Sequence, residues 1–456
     1  MKNYPAIIGG EKTRNTRFSA RKTMFKEEIK AVTDVMHTDN LSSFLGAPGN
    51  SFLGGEKVIE FENFWKKKYG FKHAISVNSW TSGLMITVGA IGIEAGDEVI
   101  CSPYSMSASA TSVLFYGGIP IFADVDPNTY NIDPISIEKL ITKNTKAILV
   151  VHIFGGTADM DKIMLIADKY NLKVIEDAAQ SPGISYKNKP IGAIGHIGGF
   201  SLNYHKHIHC GEGGMIVTND DDLALKSQLI RNHGENSAEV LDKKYLPNII
   251  GGNYRLTEIQ AAIGIEQLKK LDNILKNRIN LANYLHTKLS NFDCLESYVP
   301  EEGFEHAYYV FPIKFNSELA GMSRNLFVKA VNAEFIDATG WESTPLAEGY
   351  VKPLYLNPIY QEQIAIGSKG YPFNINNDIN YNYSKGICPI VEKLYSEQMI
   401  ITPLIRDPLT EDDLKDLISA ISKVLKYSKE ISNNFKVNED ETIYTPVKVA
   451  SEKNVR

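Results

Sequence analysis

Cysteine is scarce in this chain: Cys101, Cys210, Cys294 and Cys388 are the four among 456 residues. No CxxC pair or ligand-like spacing connects them, which argues against a disulfide framework or a cysteine-built zinc site. Four reduced thiols in a cytoplasmic protein are expected. Long hydrophobic runs are also missing. No stretch approaches the ~20 apolar residues that cross a bilayer, and the opening MKNYPAIIGGEKTRNTRFSARK lacks the apolar core of a signal peptide. There is no excess of positive charge. The 48 basic and 54 acidic residues leave a net charge of −6 and a pI near 6.0, without the basic surface that nucleic-acid or membrane binding requires. Internal repeats are absent too.

What is present is an ordinary globular composition, 43% hydrophobic and 22% charged, in a chain too long for a single core. Val58–Lys68 places Val58, Phe61, Phe64 and Trp65 on one helical face. Short apolar runs at Glu98–Cys101, Ile119–Ala123, Ala147–Ile153 and Leu172–Ile175 have strand length and turn-forming neighbours. A helix over Met160–Tyr170 separates the last two. Such alternation predicts a mostly parallel central sheet flanked by helices, an α/β fold. Gly199–Leu202 and Met215–Thr218 read as further strands around the loop His205–Gly214, and Leu256–Leu271 as a long amphipathic helix. After about Tyr298 the texture changes to a smaller C-terminal α+β domain: a strand over His306–Phe315, then helices over Arg324–Glu334, Ile390–Glu397 and Glu411–Tyr427. The predicted organisation is an N-terminal segment (1–55) packing on the active site or dimer, a large domain (56–297), a small domain (298–427) and a flexible polar tail (428–456).

Three segments carry chemistry. IEDAAQS (Ile175–Ser181) sets Asp177 at a strand end, where open α/β sheets bind ligands; a helix N-cap is the plainer role for an aspartate there. FSLNYHKHIHCGEGG (Phe200–Gly214) holds a lysine among histidines, followed by glycines that allow close backbone approach. The alternating His205, His207 and His209 invite a metal reading, but metal ligands are usually recruited from separated elements, and no metal is expected. GGNYRLTEIQAAIG (Gly251–Gly264) brings Asn253 to a helix start that Thr257 can cap.

In this order and spacing the three segments resemble the DegT/StrS-type sugar aminotransferases, pyridoxal phosphate (PLP) enzymes of fold type I. The resemblance runs from about Tyr4 to about Leu425. VNSWTSGL (Val77–Leu84), GDEVICSPYS (Gly96–Ser105), IPIFADVDPNTY (Ile119–Tyr130), VHIFGGTADMD (Val151–Asp161) and IRNHGE (Ile230–Glu235) support it. It implies that Lys206 forms the Schiff base with PLP. Asp177 then faces the pyridine nitrogen, and Gln180 lies beside the ring hydroxyl. Ser201 and Thr81, with the backbone at Trp80, hold the phosphate. Asn253 reaches the phosphate bound by a partner subunit, which makes a homodimer with shared active sites.

Two positions depart from the family pattern. The phosphate turn, commonly Ser-Gly-Thr, is Ser79-Trp80-Thr81, so Trp80 is expected to lend its backbone and point its side chain elsewhere. Met106 stands where an aromatic residue usually stacks on the ring; a thioether can cover a ring face, and Tyr104 is the alternative. Family dehydratases carry histidine in place of the lysine. Spacing from Ser201 and the following GEGG assign that place to Lys206 rather than to its neighbours His205 or His207. The expected reaction moves an amino group from L-glutamate or L-glutamine, by way of pyridoxamine phosphate, to a nucleotide-linked keto-deoxysugar, serving surface polysaccharide or secondary-metabolite sugars. Keto-cyclitols are the second substrate class, because YPAIIGGEKT and LSSFLGAPGNSFLGGEKV resemble members acting on them. A PLP-dependent dehydratase is the rival chemistry, and a non-catalytic regulatory protein would need a DNA-binding unit that the sequence does not show.

Overall fold

The computed structural model describes residues 4–47, 49–234, 249–336, 344–376 and 378–435. Its centre is a seven-stranded sheet. The strands are β1 (His73–Val77), β2 (Glu98–Cys101), β3 (Ile119–Phe122), β4 (Thr145–Val151), β5 (Lys173–Asp177), β6 (Ile197–Ser201) and β7 (Gly214–Thr218). Their spatial order is β1-β7-β6-β5-β4-β2-β3. Strands β3, β2, β4, β5 and β6 run parallel, while β7 is antiparallel to both of its neighbours. Helices cover both faces, so the strands are buried over most of their length and read as continuous apolar runs such as AILVV in β4. Two apolar clusters, one on each face, include alternate residues of β4: Leu149 on one side, Ile148 and Val150 on the other.

The helices are α1 (Lys26–His37), α2 (Glu56–Tyr69), α3 (Trp80–Ala90), α4 (Ala108–Phe115), α5 (Met160–Tyr170), α6 (Asp221–Arg231) and α7 (Glu258–Leu289). Helix α5 has the predicted bounds because both ends carry signals. Asp159 caps the Lys162 amide at 3.3 Å, and Asn171 stops the helix at φ 54°. Helix α7 begins as expected, with Thr257 and Gln260 in a capping box, but runs far past the predicted end at Leu271. No glycine or proline interrupts the stretch, and Leu275, Leu281, Ala282, Leu285 and Leu289 continue its buried face.

A second sheet, in the order β8-β9-β11-β10, is built from β8 (Leu295–Glu296), β9 (Phe311–Phe315), β10 (Ala347–Glu348) and β11 (Met399–Thr402). It packs with α8 (Arg324–Ala333), α9 (Glu411–Lys426) and the C-terminal half of α7 around a third cluster that includes Phe311, Phe327 and Leu417. The predicted strand His306–Phe315 forms only from Phe311. Tyr308 adopts φ 49°, and the Ala307 and Tyr309 amides bond Gly155 and Phe154 at the first sheet instead. The predicted helix at Ile390–Glu397 is a short α-helix, Pro389–Lys393, that widens into a π turn over Leu394–Gln398. The expected flexible tail is corrected at its start, where Ser428–Asn434 forms α10 with Ile431 buried. The remainder, 436–456, lies outside the described residues, as does Glu235 at the end of IRNHGE.

Candidate active site

The parallel strands deliver their C-terminal ends to one edge of the sheet, where the segments after β2, β4, β5 and β6 converge with the start of α3. Lys206 lies in the loop after β6. Its side chain is buried, with Nζ 4.4 Å above the Tyr309 ring and no ion pair among the described residues. Burial drives its pKa down to about 8, and the nearby Asp177 carboxylate offsets only part of this. A substantial fraction of the amine is therefore neutral near physiological pH, as a nucleophile requires.

Asp177 ends β5 and is also buried. Its Oδ1 accepts from the Trp80 indole Nε1–H at 2.7 Å and the Ala179 amide at 3.2 Å; Oδ2 accepts from the Ser109 hydroxyl at 2.7 Å. Ser109 in turn lies 2.9 Å from the Ser105 hydroxyl. Gln180 is fixed at both ends. Its Oε1 accepts from the Phe154 amide at 2.7 Å, and its Nε2 donates to the Tyr350 hydroxyl at 2.8 Å. The turn at Phe154–Gly155 needs glycine. Gly155 has φ 102°, and a Cβ there would fall 2.8 Å from the Tyr308 and Tyr309 amides.

Ser79 caps α3 by accepting from the Ser82 amide at 3.0 Å. The Trp80 and Thr81 amides belong to the first turn, which has no intrahelical acceptors to offer them. The Thr81 side chain is exposed beside them, and Ser201 closes β6 at the same edge. Amides at a helix N-terminus with hydroxyls alongside suit a phosphate. Met106 is 65% exposed just ahead of α4. Tyr104 is fully buried, with its hydroxyl on the Gly349 carbonyl at 2.6 Å, and so is unavailable to cover a ring. Asn253 lies against the segment that leads into this turn, its carbonyl accepting from the Asn78 side chain at 3.3 Å. Its side chain is exposed and its backbone bridges to Asn232.

The loop histidines point to different partners, and no group of three or more potential metal ligands forms among the described residues. His207 is buried with Nε2 2.8 Å from the Ala307 carbonyl, His209 lies 2.7 Å from the Thr23 hydroxyl, and His205 packs edge-on against Tyr204. Burial, reinforced by neighbouring cations, holds His205 and His209 at about 4, so both rings are neutral. Arg21 ties the N-terminal segment to this loop by donating to the carbonyls of Tyr204, Lys206 and His207.

Several members of the site escaped sequence reasoning. Ser109 lies four residues past the end of GDEVICSPYS, and Tyr309 within the predicted strand His306–Phe315. Both matter only through partners distant in the chain. Behind Asp177, Glu176 points to the opposite face of β5, where it accepts from the Gly192 and Gly195 amides at 2.8 and 2.6 Å and lies 3.0 Å from His152 Nε2. His152 Nδ1 accepts from the Ala158 amide, so Nε2 carries the proton given to Glu176.

A buried amine, a fixed carboxylate and a hydroxyl-lined helix start form a donor set that fits PLP. The comparisons agree with this geometry. The chain is 38% identical over 308 residues to the GDP-perosamine synthase of Caulobacter vibrioides, covering 67% of this chain and 79% of that protein. It is 31% identical to a spore coat polysaccharide biosynthesis protein of Bacillus subtilis, over 88% of this chain and 95% of that one. Among solved structures, an aminotransferase from Psychrobacter cryohalolentis superposes with a TM-score of 0.76 at 30% identity, covering 90% and 99% of the two chains. The DegT/DnrJ/EryC1/StrS aminotransferase family model matches residues 26–370. With its fold, its buried lysine and its sequence in agreement, the chain belongs to that family of PLP-dependent aminotransferases.

Proposed function

We propose that this enzyme transfers an amino group from L-glutamate or L-glutamine to a nucleotide-linked keto-deoxysugar destined for a surface polysaccharide. The observation that carries the reading is Lys206, whose amine is buried, lacks an ion-pair partner among the described residues and has its pKa lowered to about 8. The two relatives above, one a GDP-perosamine synthase and the other a spore coat polysaccharide protein, support the sugar substrate.

PLP, when bound, supplies an electron sink that makes the proton on the carbon bearing the substrate's amine removable. The chain's own groups then have separate tasks. Lys206 holds the cofactor covalently and, once released, carries the proton from that carbon. Asp177 keeps a negative charge against the ring nitrogen, and Gln180, locked between Phe154 and Tyr350, orients the ring edge. Thr81, Ser201 and the Trp80 amide anchor the phosphate, and Met106 covers the ring from the solvent side. Asn253, whose side chain is exposed, completes the site of the second copy in a homodimer. The large sheet with its helices forms the cofactor-binding domain, and the second sheet with α8 and α9 the smaller one, which begins by Leu295 rather than at 298 because β8 already pairs with β9. No helix among the described residues is long and apolar enough to cross a membrane, and we place the enzyme in the cytoplasm.

The dehydratase alternative would put a histidine at the reacting position. Here the flanking imidazoles are engaged elsewhere, His207 with the Ala307 carbonyl and His205 with Tyr204. The test is an absorbance spectrum of the PLP-loaded protein and of Lys206→Ala, before and after L-glutamate or L-glutamine. Conversion to the pyridoxamine phosphate spectrum in the wild type alone supports transamination; a panel of nucleotide-linked keto-deoxysugars and inososes then identifies the acceptor by mass spectrometry of the amino product. Bound cofactor that no donor converts would favour dehydratase chemistry.

A further inference from the structure

Trp80 stands where the family turn commonly carries glycine, and its side chain does not turn away to solvent. The indole is buried and runs along the inner face of β6 toward the end of β5. The space it occupies is opened by glycines. A Cβ on Gly199 would fall 2.4 Å from Trp80 Cζ3, and one on Gly83 would fall 2.5 Å from Cε3. At the far end of this slot Nε1–H donates to Asp177 Oδ1 at 2.7 Å, while Ser109 holds Oδ2 from the opposite side at 2.7 Å. Oδ1 thus has two donors, the indole N–H and the Ala179 amide at 3.2 Å, and Oδ2 has one, which together fix the rotation of the carboxylate about its Cβ–Cγ bond. Oδ2, with a single donor, keeps a second lone-pair direction for another partner.

We propose that Trp80 is a positioning residue for transamination: its indole N–H sets the orientation in which Asp177 meets the cofactor's ring nitrogen. The proposal rests on the assignment of Asp177 to that nitrogen. It gives the substitution of glycine by tryptophan a role beyond filling space, because a purely apolar filler would leave the carboxylate held by Ser109 and the Ala179 amide alone.

The test titrates the apoprotein with PLP and with 1-deaza-pyridoxal phosphate, which has carbon in place of the ring nitrogen and cannot engage Asp177. Trp80→Phe retains an aromatic ring and removes the N–H. Loss of one hydrogen bond to a charged group is expected to weaken PLP binding about 10- to 150-fold while leaving the deaza analogue within about twofold. If both ligands weaken equally, Trp80 acts by shape alone and the proposal fails; it fails also if neither weakens. Should Trp80→Phe not fold, the isosteric benzothienyl analogue of tryptophan placed at position 80 is read by the same criterion. Equal affinity of the unsubstituted protein for the two ligands overturns the assignment of Asp177 itself, a result separable from any effect of Trp80.

Discussion

Gly83→Ala should destabilise this protein, although the same change in the interior of a helix normally stabilises by about 1 kcal/mol. Gly83 lies in α3, one turn after Trp80. Its added Cβ would stand 2.5 and 2.7 Å from Trp80 Cε3 and Cζ3, with Val77 Cγ2 next at 3.4 Å. Carbon atoms prefer about 3.5–4.0 Å, so the indole would have to retreat by about 1 Å. It has nowhere to go, because its other side lies on β6 at Gly199 and its N–H is bound to Asp177. Overpacking of this kind costs about 1–3 kcal/mol, which outweighs the helix gain and leaves a net loss of about 1 kcal/mol. In a Trp80→Ala background the clash is gone, and Gly83→Ala should stabilise by about 1 kcal/mol. Thermal melts of the four apoproteins by circular dichroism compare the two signs directly. If Gly83→Ala raises the melting temperature while Trp80 is intact, the indole does not occupy the slot described for it.

Lys206 makes a pH-dependent prediction. Its folded pKa of about 8 lies below the ordinary 10.5, so between those values the unfolded chain binds the extra proton and stability rises with pH. Below pH 8 the full cost, about 3 kcal/mol, is present. Lys206→Met should therefore stabilise the apoprotein by about that amount at pH 7, and the advantage should fade toward pH 10.5 in urea melts; a constant difference would contradict the burial argument. Mixing Lys206→Ala with Asn253→Ala protein should restore about one quarter of wild-type activity, because random pairing makes half the dimers hybrid, each with one intact site; no recovery would place Asn253 in its own subunit's site or outside any. Glu176→Ala should cost about 3–5 kcal/mol, since it strands the Gly192 and Gly195 amides and the His152 N–H without an acceptor; a loss under 1 kcal/mol in denaturant melts would refute that account.

Local signals explain what could be read in advance. Helix α5 was legible at both ends because Asp159 and Asn171 act on their own neighbours. Lys206, Asp177 and Gln180 were legible because they sit in motifs whose spacing is local. The far end of α7 was not, since its continuation is marked only by Leu281, Leu285 and Leu289 meeting a core made from other parts of the chain. Residues 306–310 carry a strand-like composition, yet the sheet edge at Phe154 and Gly155 captures their amides before they can pair in the second sheet. The direction of the Trp80 side chain was equally hidden, because the room for it is provided at Gly199 and the reason for it at Asp177. Tyr309 reaches Lys206 across a similar gap.

Helix α7 carries a mechanical consequence. Leu268, Leu271 and Leu275 are built into a cluster against the large sheet, while Leu281, Leu285 and Leu289 of the same rod belong to the cluster around the small one. A helix of 32 residues is about 48 Å long, and no proline or glycine in the span between the two clusters offers a place to bend. The two sheets are thus bolted to a common axle. A swing of one sheet against the other would have to bend that rod or strip one of the two clusters from it.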